Sequence, residues 1–161
     1  MKKTVTLILA IALIMCFTAC SNSEKTPANT EKSPSSLDAL IEFNIPNDFF
    51  KSKINEKEMD EHGNITGETW YDEGIMLSAN IIEDDMDIKT FVQDNDLKEE
   101  TYGDNVVYMD KFSKEAQKQM RSCFVESHNH IIQIDWAAQE EPFTDEDIEL
   151  FHKILTNMKI L

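Results

Sequence analysis

Two histidines separated by one residue, His128 and His130, form the most suggestive chemical pattern in the sequence. Side chains at positions i and i+2 share one face of a β-strand, so both imidazoles could bind a transition metal. Glu126 or Asp135 could then supply a further ligand. In the alternative, Asn129 lies in the turn of a hairpin and directs the two rings apart. The hairpin favours exposed turn histidines, and the metal site stays open as the alternative.

Two groups of acidic residues could supply the oxygen ligands that Ca²⁺ prefers. The first group is Glu83, Asp84, Asp85 and Asp87, and the second is Asp94, Asn95, Asp96, Glu99 and Glu100. Neither group has the ligand spacing, with its central glycine, of a helix–loop–helix calcium site. A solvated run of charge explains both, helped by the preference of acids for the first turn of a helix.

Cys123 and His128 carry the side chains of a nucleophile and a base. Cys123, however, is predicted to lie on the apolar face of its strand, where a thiol has a raised pKa and packs as a small hydrophobic group. No third residue orients the pair. The sequence also lacks GxSxG, SxxK and HExxH motifs and a glycine-rich phosphate loop. We therefore expect no catalytic residue, no cofactor and no enzymatic activity.

Aromatic side chains are a last candidate, because such residues often line ligand grooves. The residues concerned are Phe49, Phe50, Trp70, Tyr71 and Trp136. Packing in the core is the first explanation for large aromatic side chains. A ligand groove lined by these residues is the alternative.

The chain that must position these side chains has an apolar pattern that changes period several times. Alternation with period two, between turns at residues 62–64 and 72–74, predicts strands. The predicted strands are residues 40–45, 53–59, 65–71, 75–82 and 105–112, followed by a hairpin within residues 121–138. The residues of that hairpin predicted to face the core are Cys123, Val125, Ile132, Ile134 and Trp136.

Two helices are predicted from apolar residues at helical spacing. A short central helix is expected to begin at a capping Asp85. The C-terminal helix is expected to begin at Thr144, with Asp147 as its capping-box partner and Phe143 packed on Ile148. The predicted buried stripes are Ile88, Phe91 and Val92 in the first helix, and Ile148, Phe151, Ile154, Leu155 and Met158 in the second. These elements indicate an α+β fold: an antiparallel sheet of about five to seven strands with a central short helix and a C-terminal helix packed on one face.

The N-terminus has the layout of an export signal. Lys2 and Lys3 precede an apolar run over residues 5–17, which at about 13 residues is shorter than the ~20 that a membrane-spanning helix needs. The residues Phe17-Thr18-Ala19-Cys20 resemble the lipobox of bacterial lipoprotein signal peptides, with phenylalanine where leucine is most usual. The resemblance implies that Cys20 receives a diacylglyceryl group and becomes the mature N-terminus. Two acyl chains are enough for stable anchoring.

These features divide the chain into three parts. Residues 1–19 are the predicted signal peptide, which would remove Cys16. Residues 20–36 are the lipidated N-terminus and a flexible tether, polar and interrupted by Pro27 and Pro34, with a reach of roughly 20–25 Å. Residues 37–161 are one α+β globular domain. An ordinary secretory signal, cleaved near Ala19 to leave Cys20 as a free thiol, is the alternative.

Charge excludes some partners. The chain has 15 basic and 31 acidic residues, a net charge of −16, and removing the signal would change it to −18. Arg121 is its only arginine. Nucleic-acid binding needs basic surface that displaces counterions from phosphates, so no nucleic-acid partner is expected. Anionic lipid headgroups would also repel the domain, so that a lipid anchor on Cys20 must hold it at the membrane.

The order of elements resembles the PsbP-like group and the bacterial DcrB-type lipoproteins. The similar stretches are FNIPNDFF near residue 43, DIKTFVQ near residue 87 and the strand-then-helix ending from residue 131. The resemblance implies a non-enzymatic accessory or binding subunit. Our first hypothesis is therefore an extracytoplasmic, lipid-anchored binding module whose partner is an envelope protein or a small ligand. A divalent-cation-binding lipoprotein is the second hypothesis and a hydrolase of unrecognised type is the third.

Overall fold

A seven-stranded antiparallel sheet organises the residues that the computed structural model describes, which are 36–45, 54–72, 74–82 and 87–161. All of them belong to the compact unit Ser33–Leu161. The elements are β1 Ile41–Glu42, β2 Ile54–Met59, β3 Ile65–Asp72, β4 Ile75–Ile82, α1 Ile88–Asp94, β5 Lys98–Tyr102, β6 Asn105–Met109, β7 Met120–Ser127, β8 His130–Ala138, α2 Asp145–Asn157 and β9 Lys159–Ile160. The sheet order is β2-β3-β4-β8-β7-β6-β5. The predicted α+β class, with its short central helix and its C-terminal helix, is confirmed.

Alternation along the central strands gives the sheet a core face that packs with α2. Cys123 pairs with Ile134 and Val125 pairs with Ile132 across β7 and β8, and all four are fully buried. Phe151 of α2 is also fully buried and stacks on Trp136 of β8, with ring centroids 5.5 Å apart. The inward-facing residues predicted for this hairpin are therefore confirmed.

The opposite, outer face of the sheet is covered in part by α1. Ile88 and Phe91 of this helix are buried in a second apolar cluster with Phe124 and Ile131, which point away from the core face. The rings of Phe91 and Phe124 meet edge to face at 5.0 Å. Helix α1 therefore gives the outer face of the sheet a small second core.

Helix α2 begins at the capping box that the sequence predicted. The backbone N–H of Asp147 donates to Thr144 Oγ1 at 3.2 Å, and the N–H of Thr144 donates to Asp147 Oδ2 at 2.7 Å. These two bonds satisfy donors that a helix start leaves without intrahelical partners. The predicted stripe is buried at Phe151, Ile154, Leu155 and Met158, while Ile148 is half-buried. Phe143 stacks on Trp136 at 6.2 Å.

We expect Thr144→Ala to lower the free energy of unfolding by about 1 kcal/mol, because it removes the oxygen that accepts from Asp147 N–H. Urea unfolding followed by circular dichroism measures the loss. Glu149→Ala is the matched control, since Glu149 is an exposed residue of the same helix and alanine has the highest helix propensity. Equal stabilities of the Thr144 and Glu149 variants would show that the cap does not stabilise α2.

The predicted cap of the central helix is wrong. Asp87, not Asp85, is the N-cap of α1, and its carboxylate accepts hydrogen bonds from the backbone N–H groups of Lys89 and Thr90 at 3.0 and 3.2 Å. Thr90 Oγ1 donates a third bond, of 2.8 Å. A cap must stand directly before the first helical residue, here Ile88, so an aspartate two residues earlier cannot reach those donors. Asp85 itself lies outside the described residues.

Three strands depart from the sequence prediction: β1 is shorter and pairs outside the large sheet, and β5 and β9 were not predicted. The first strand is only Ile41–Glu42, and it pairs with β9 at the end of the chain instead of joining the large sheet. The strand β5 was not predicted at all, because the sequence KEETY is polar. It is an edge strand that pairs with β6 alone, and edge strands tolerate charged side chains.

Candidate functional site

The two histidines considered for metal binding lie on different elements. His128 and Asn129 have φ values of 50° and 64° and form the turn between β7 and β8, whereas His130 is the first residue of β8. The predicted position of Asn129 in the turn is confirmed. Within the described ranges, no group of three His, Cys, Asp or Glu side chains is arranged to hold a metal ion.

The two carboxylates proposed as further metal ligands are remote from each other. Glu126 is exposed near the turn. Asp135 is 9 % exposed on the outer face, where it accepts hydrogen bonds from Ser122 Oγ at 2.5 Å and from Gln133 Nε2 at 3.0 Å. Asp135 pairs with Ser122 of β7, whereas His130 pairs with Ser127 next to the turn. The two pairs are five positions apart along the strands, so Asp135 and His130 are separated by roughly 16 Å. Asp135 is therefore held in a polar cluster of the sheet and not beside His130.

The second acidic group is spread over the end of a helix and a strand. Asp94 ends α1, Asn95 is its C-cap and Asp96 has a φ of 51°, so these residues terminate a helix and do not begin one. Glu99 and Glu100 follow on β5, where successive side chains point to opposite faces. Of the first group, Asp87 is the cap of α1 described above. Glu83, Asp84 and Asp85 lie outside the described residues.

Cys123 and His128 are not brought together. Cys123 is fully buried in the core, and burial together with the nearby charge of Asp135 raises the pKa of its thiol far above the ordinary range. His128 is exposed in the turn that follows β7, five residues after Cys123. A protonated, buried thiol without a neighbouring base packs as a hydrophobic group.

The aromatic residues divide between core and surface. Trp136 belongs to the core, as the packing interpretation predicted. Trp70 is half-buried, meets Phe43 edge to face at 5.3 Å, and lines a cavity of about 330 Å³ with apolar and acidic neighbours. Phe49 and Phe50 lie outside the described residues.

A different cavity, which we call the Arg121 cavity, has the most distinctive chemistry. It has a volume of about 300 Å³ and is formed by the edge strand β5, the end of β6, the segment that follows β6 and the start of β7. Its lining residues are Lys98, Glu100, Met109, Asp110, Lys111, Phe112, Gln117, Arg121 and Ser122. Three cationic residues thus meet in a chain whose net charge is −16. The cavity beside Trp70 and a third cavity of about 450 Å³ near the start of α2 are lined by carboxylates and no cationic residue.

Two of the three cations are already paired. Lys98 Nζ donates to Glu100 Oε1 at 2.8 Å, and Tyr102 Oη donates to the other oxygen of Glu100 at 2.8 Å. The bond from Lys98, followed by the bond from Tyr102, lowers the pKa of Glu100 against the opposing effect of burial. Lys111 forms an ion pair with Asp96. The remaining cation is Arg121.

Arg121 is half-buried and forms no salt bridge with any described residue. Its Nε atom is buried and has no hydrogen-bond partner in that part of the chain. A buried donor without an acceptor costs about 1–3 kcal/mol, and more when the group is charged. Arg121 thus has no carboxylate partner among the described residues, although the chain has 31 acidic residues.

The wall opposite Arg121 is held by its own hydrogen bonds. Gln117 Nε2 donates to the carbonyl of Phe112 at 2.8 Å, and the backbone N–H of Gln117 donates to the carbonyl of Ser113 at 2.9 Å. The same segment is tied to the approach of α2, because the N–H of Phe143 donates to the carbonyl of Lys118 at 2.7 Å. A wall that is already ordered reduces the entropy lost when a ligand binds.

A ring pair from β5 and α2 lies close to the cavity. Tyr102 and His152 have ring centroids 5.1 Å apart. Burial, then the hydrogen bond to Glu100, raises the pKa of the Tyr102 hydroxyl well above its usual range. Burial, then the charge of Arg121, lowers the pKa of His152. His152 is therefore neutral at pH 7, so the positive charge beside the cavity comes from Lys98, Lys111 and Arg121.

Sequence reasoning did not find this cavity, because its residues are spread over residues 98–122 without a motif. One signal was present in the sequence: a single arginine in a strongly acidic chain. Arginine is preferred over lysine where a planar anion is bound through two parallel hydrogen bonds.

Comparison with known proteins adds no relative: no protein-family model, no curated protein and no solved structure matches the chain. The two resemblances noted in the sequence, to lipoprotein signal peptides and to the PsbP-like group, stay predictions. None of the helices in the described part of the chain has the length and apolar character needed to cross a membrane.

Proposed function

We propose that this protein is an extracytoplasmic lipoprotein, anchored to the cell membrane through Cys20, whose α+β domain is a non-enzymatic binding module for a small ligand. The anchoring part rests on the lipobox-like residues 17–20 and on an acidic surface that anionic lipids would repel. The binding part rests on the Arg121 cavity.

The observation that carries the binding part is that Arg121 lines the cavity and forms no salt bridge with any described residue. A guanidinium group stays protonated at every physiological pH, so it binds and orients a ligand without exchanging protons. Glu100, which lines the same cavity, is already bonded to Lys98 and Tyr102. The geometry therefore supports recognition of an anionic group by Arg121.

The test of the binding part is residue-resolved NMR of the full chain in detergent micelles during addition of sugars, amino acids, organic acids, phosphate, Ca²⁺ and Zn²⁺. We expect at least one small molecule to shift the backbone signals of residues 98–100, 109–112 and 117–122. Signals of the hairpin at residues 59–65, on the far edge of the sheet, are the internal control. At a concentration 100 times its dissociation constant, such a ligand stabilises the fold by about 2.7 kcal/mol.

Two results would contradict this proposal. Unchanged cavity signals with every compound would refute a small-ligand module. Saturable shifts caused by Ca²⁺ or Zn²⁺ alone would replace it with the divalent-cation hypothesis.

A further inference from the structure

We propose that the Arg121 cavity binds a single carboxylate group, held by the Arg121 guanidinium, with the apolar part of the ligand against Met109 and Phe112. This inference rests on the proposed binding function and names the class of ligand. It starts from the chemistry of the one unpaired cation in the cavity.

Arginine matches a carboxylate in shape as well as in charge. The guanidinium group presents parallel N–H donors in a plane, and a carboxylate accepts two of them at once. Arg121 lines the cavity, so a carboxylate bound there could accept hydrogen bonds from the terminal nitrogens of its guanidinium group. Because Arg121 forms no ion pair with a described residue, binding would not have to break one.

The charge around Arg121 favours one negative charge over two. Glu100 lines the same cavity, and its pKa is lowered, so it is ionised at neutral pH. Lys98 and Lys111 have carboxylate partners already. A phosphate dianion would therefore gain one free cation while approaching the two carboxylates that line the cavity, Glu100 and Asp110. A monocarboxylate gains the same cation with about half of that repulsion.

The size and the walls of the cavity select a small ligand with some apolar surface. A volume of about 300 Å³ is at the lower end of the range for ligand pockets. Met109 and Phe112 both line the cavity, so they present carbon atoms to a ligand. A carboxylate of this kind can belong to a free organic acid or to the C-terminus of a peptide. The chemistry is shared, and the experiment distinguishes the two sources.

The experiment uses the full chain in detergent micelles, labelled with ¹⁵N, and follows the side-chain Nε–H signal of arginine. Arg121 is the only arginine, so this signal is unique. The probes are butyrate, its neutral analogue butyramide, inorganic phosphate, and a tripeptide of apolar residues with a free or an amidated C-terminus. We expect butyrate or the free-acid tripeptide to shift the Nε–H signal in a saturable way. Butyramide, the amidated peptide and phosphate should leave it unchanged.

Variants test the role of Arg121 by affinity. We expect Arg121→Gln to weaken binding of the responding carboxylate at least tenfold, and Arg121→Lys to weaken it less, since lysine retains charge but not the planar donors. Lys118→Gln is the matched control, because it removes one exposed cation paired with Glu115 outside the cavity. Its affinity should change less than twofold. The Nε–H signal of the wild-type protein answers the question even if Arg121→Gln does not fold.

The outcomes separate this inference from the proposed function. A neutral compound that shifts the cavity signals, while carboxylates leave the Nε–H signal unchanged, overturns the carboxylate assignment and leaves a small-ligand module. Phosphate binding that is tighter than butyrate binding overturns the assignment to a single carboxylate. Equal butyrate affinity in Arg121→Gln and wild type overturns the role of Arg121.

Discussion

Cys20→Ser is expected to release the protein from the membrane almost completely. Serine has no thiol to form the thioether, so the diacylglyceryl group that the lipobox resemblance implies could not be attached. Each buried methylene contributes about 0.8 kcal/mol to membrane binding, and two acyl chains together make anchoring stable. The domain surface does not compensate, because its net charge is strongly negative and anionic headgroups repel it. The expected change is from a membrane-bound to a released protein.

Fractionation of cells, with detection of the protein in membrane and released fractions, measures this change. Labelled palmitate should enter the wild-type protein and not Cys20→Ser. Cys16→Ser is the matched control: Cys16 is four residues earlier in the same segment, is expected to leave with the signal peptide, and its loss should change neither fractionation nor labelling. A wild-type protein that takes up no palmitate, or that is released as readily as the variant, contradicts the anchor.

The fold itself should be unaffected by this substitution, which gives a second check. The described elements begin with a short 3-10 turn at Leu37–Ala39, and Cys20 precedes them by 17 residues of chain. Circular dichroism spectra of the released variant and of the detergent-extracted wild type should therefore agree. A difference would show that the N-terminal segment contributes to folding.

The elements predicted from the sequence were those whose signals are local. The hairpin of β7 and β8 follows from alternation of Cys123 and Val125, and the start of α2 follows from Thr144 and Asp147, three residues apart. In both cases the residues that form the interaction are adjacent in the sequence or across one turn, so spacing alone determines which side chains meet.

The elements that were missed or given the wrong bounds depend mostly on distant partners. β5 is polar except for Tyr102, and it is a strand because β6 pairs with it. The short strand β1 is held by β9 near the last residue of the chain. The position of the α1 cap depended on a two-residue difference between Asp85 and Asp87, which periodicity does not resolve.

The same distinction explains why the candidate site was missed. The sequence patterns that suggested chemistry, such as His128 with His130, were close in sequence, and the fold disperses them. The Arg121 cavity combines residues of β5 and β7 that are more than 20 positions apart, and it exists because β6 lies between those strands. Its proposed chemistry depends on Arg121 having no ion pair with a described residue. Only a structure shows this, because it identifies the carboxylates that pair with Lys98 and Lys111.

Phe151→Ala is expected to cause the largest loss of stability in the domain, about 3–5 kcal/mol in the free energy of unfolding. The Phe151 side chain is fully buried and stacks on Trp136 with an interplanar angle of 17°. It is the central contact between α2 and the sheet. Its removal leaves a cavity that the sheet cannot fill, because β4, β8 and β7 are hydrogen-bonded side by side beneath it. Domains of this size are stable by only about 5–15 kcal/mol, so the variant would lose a large fraction of the total.

Urea unfolding followed by circular dichroism measures this loss as a lower midpoint with an unchanged slope. Phe151→Leu fills most of the space and should lose clearly less than alanine. Met59→Ala removes a large apolar side chain that is 61 % exposed on the edge strand β2, and it should change stability by no more than about 0.5 kcal/mol. If Phe151→Ala is no more destabilising than Met59→Ala, the packing of α2 on the sheet does not hold the domain together.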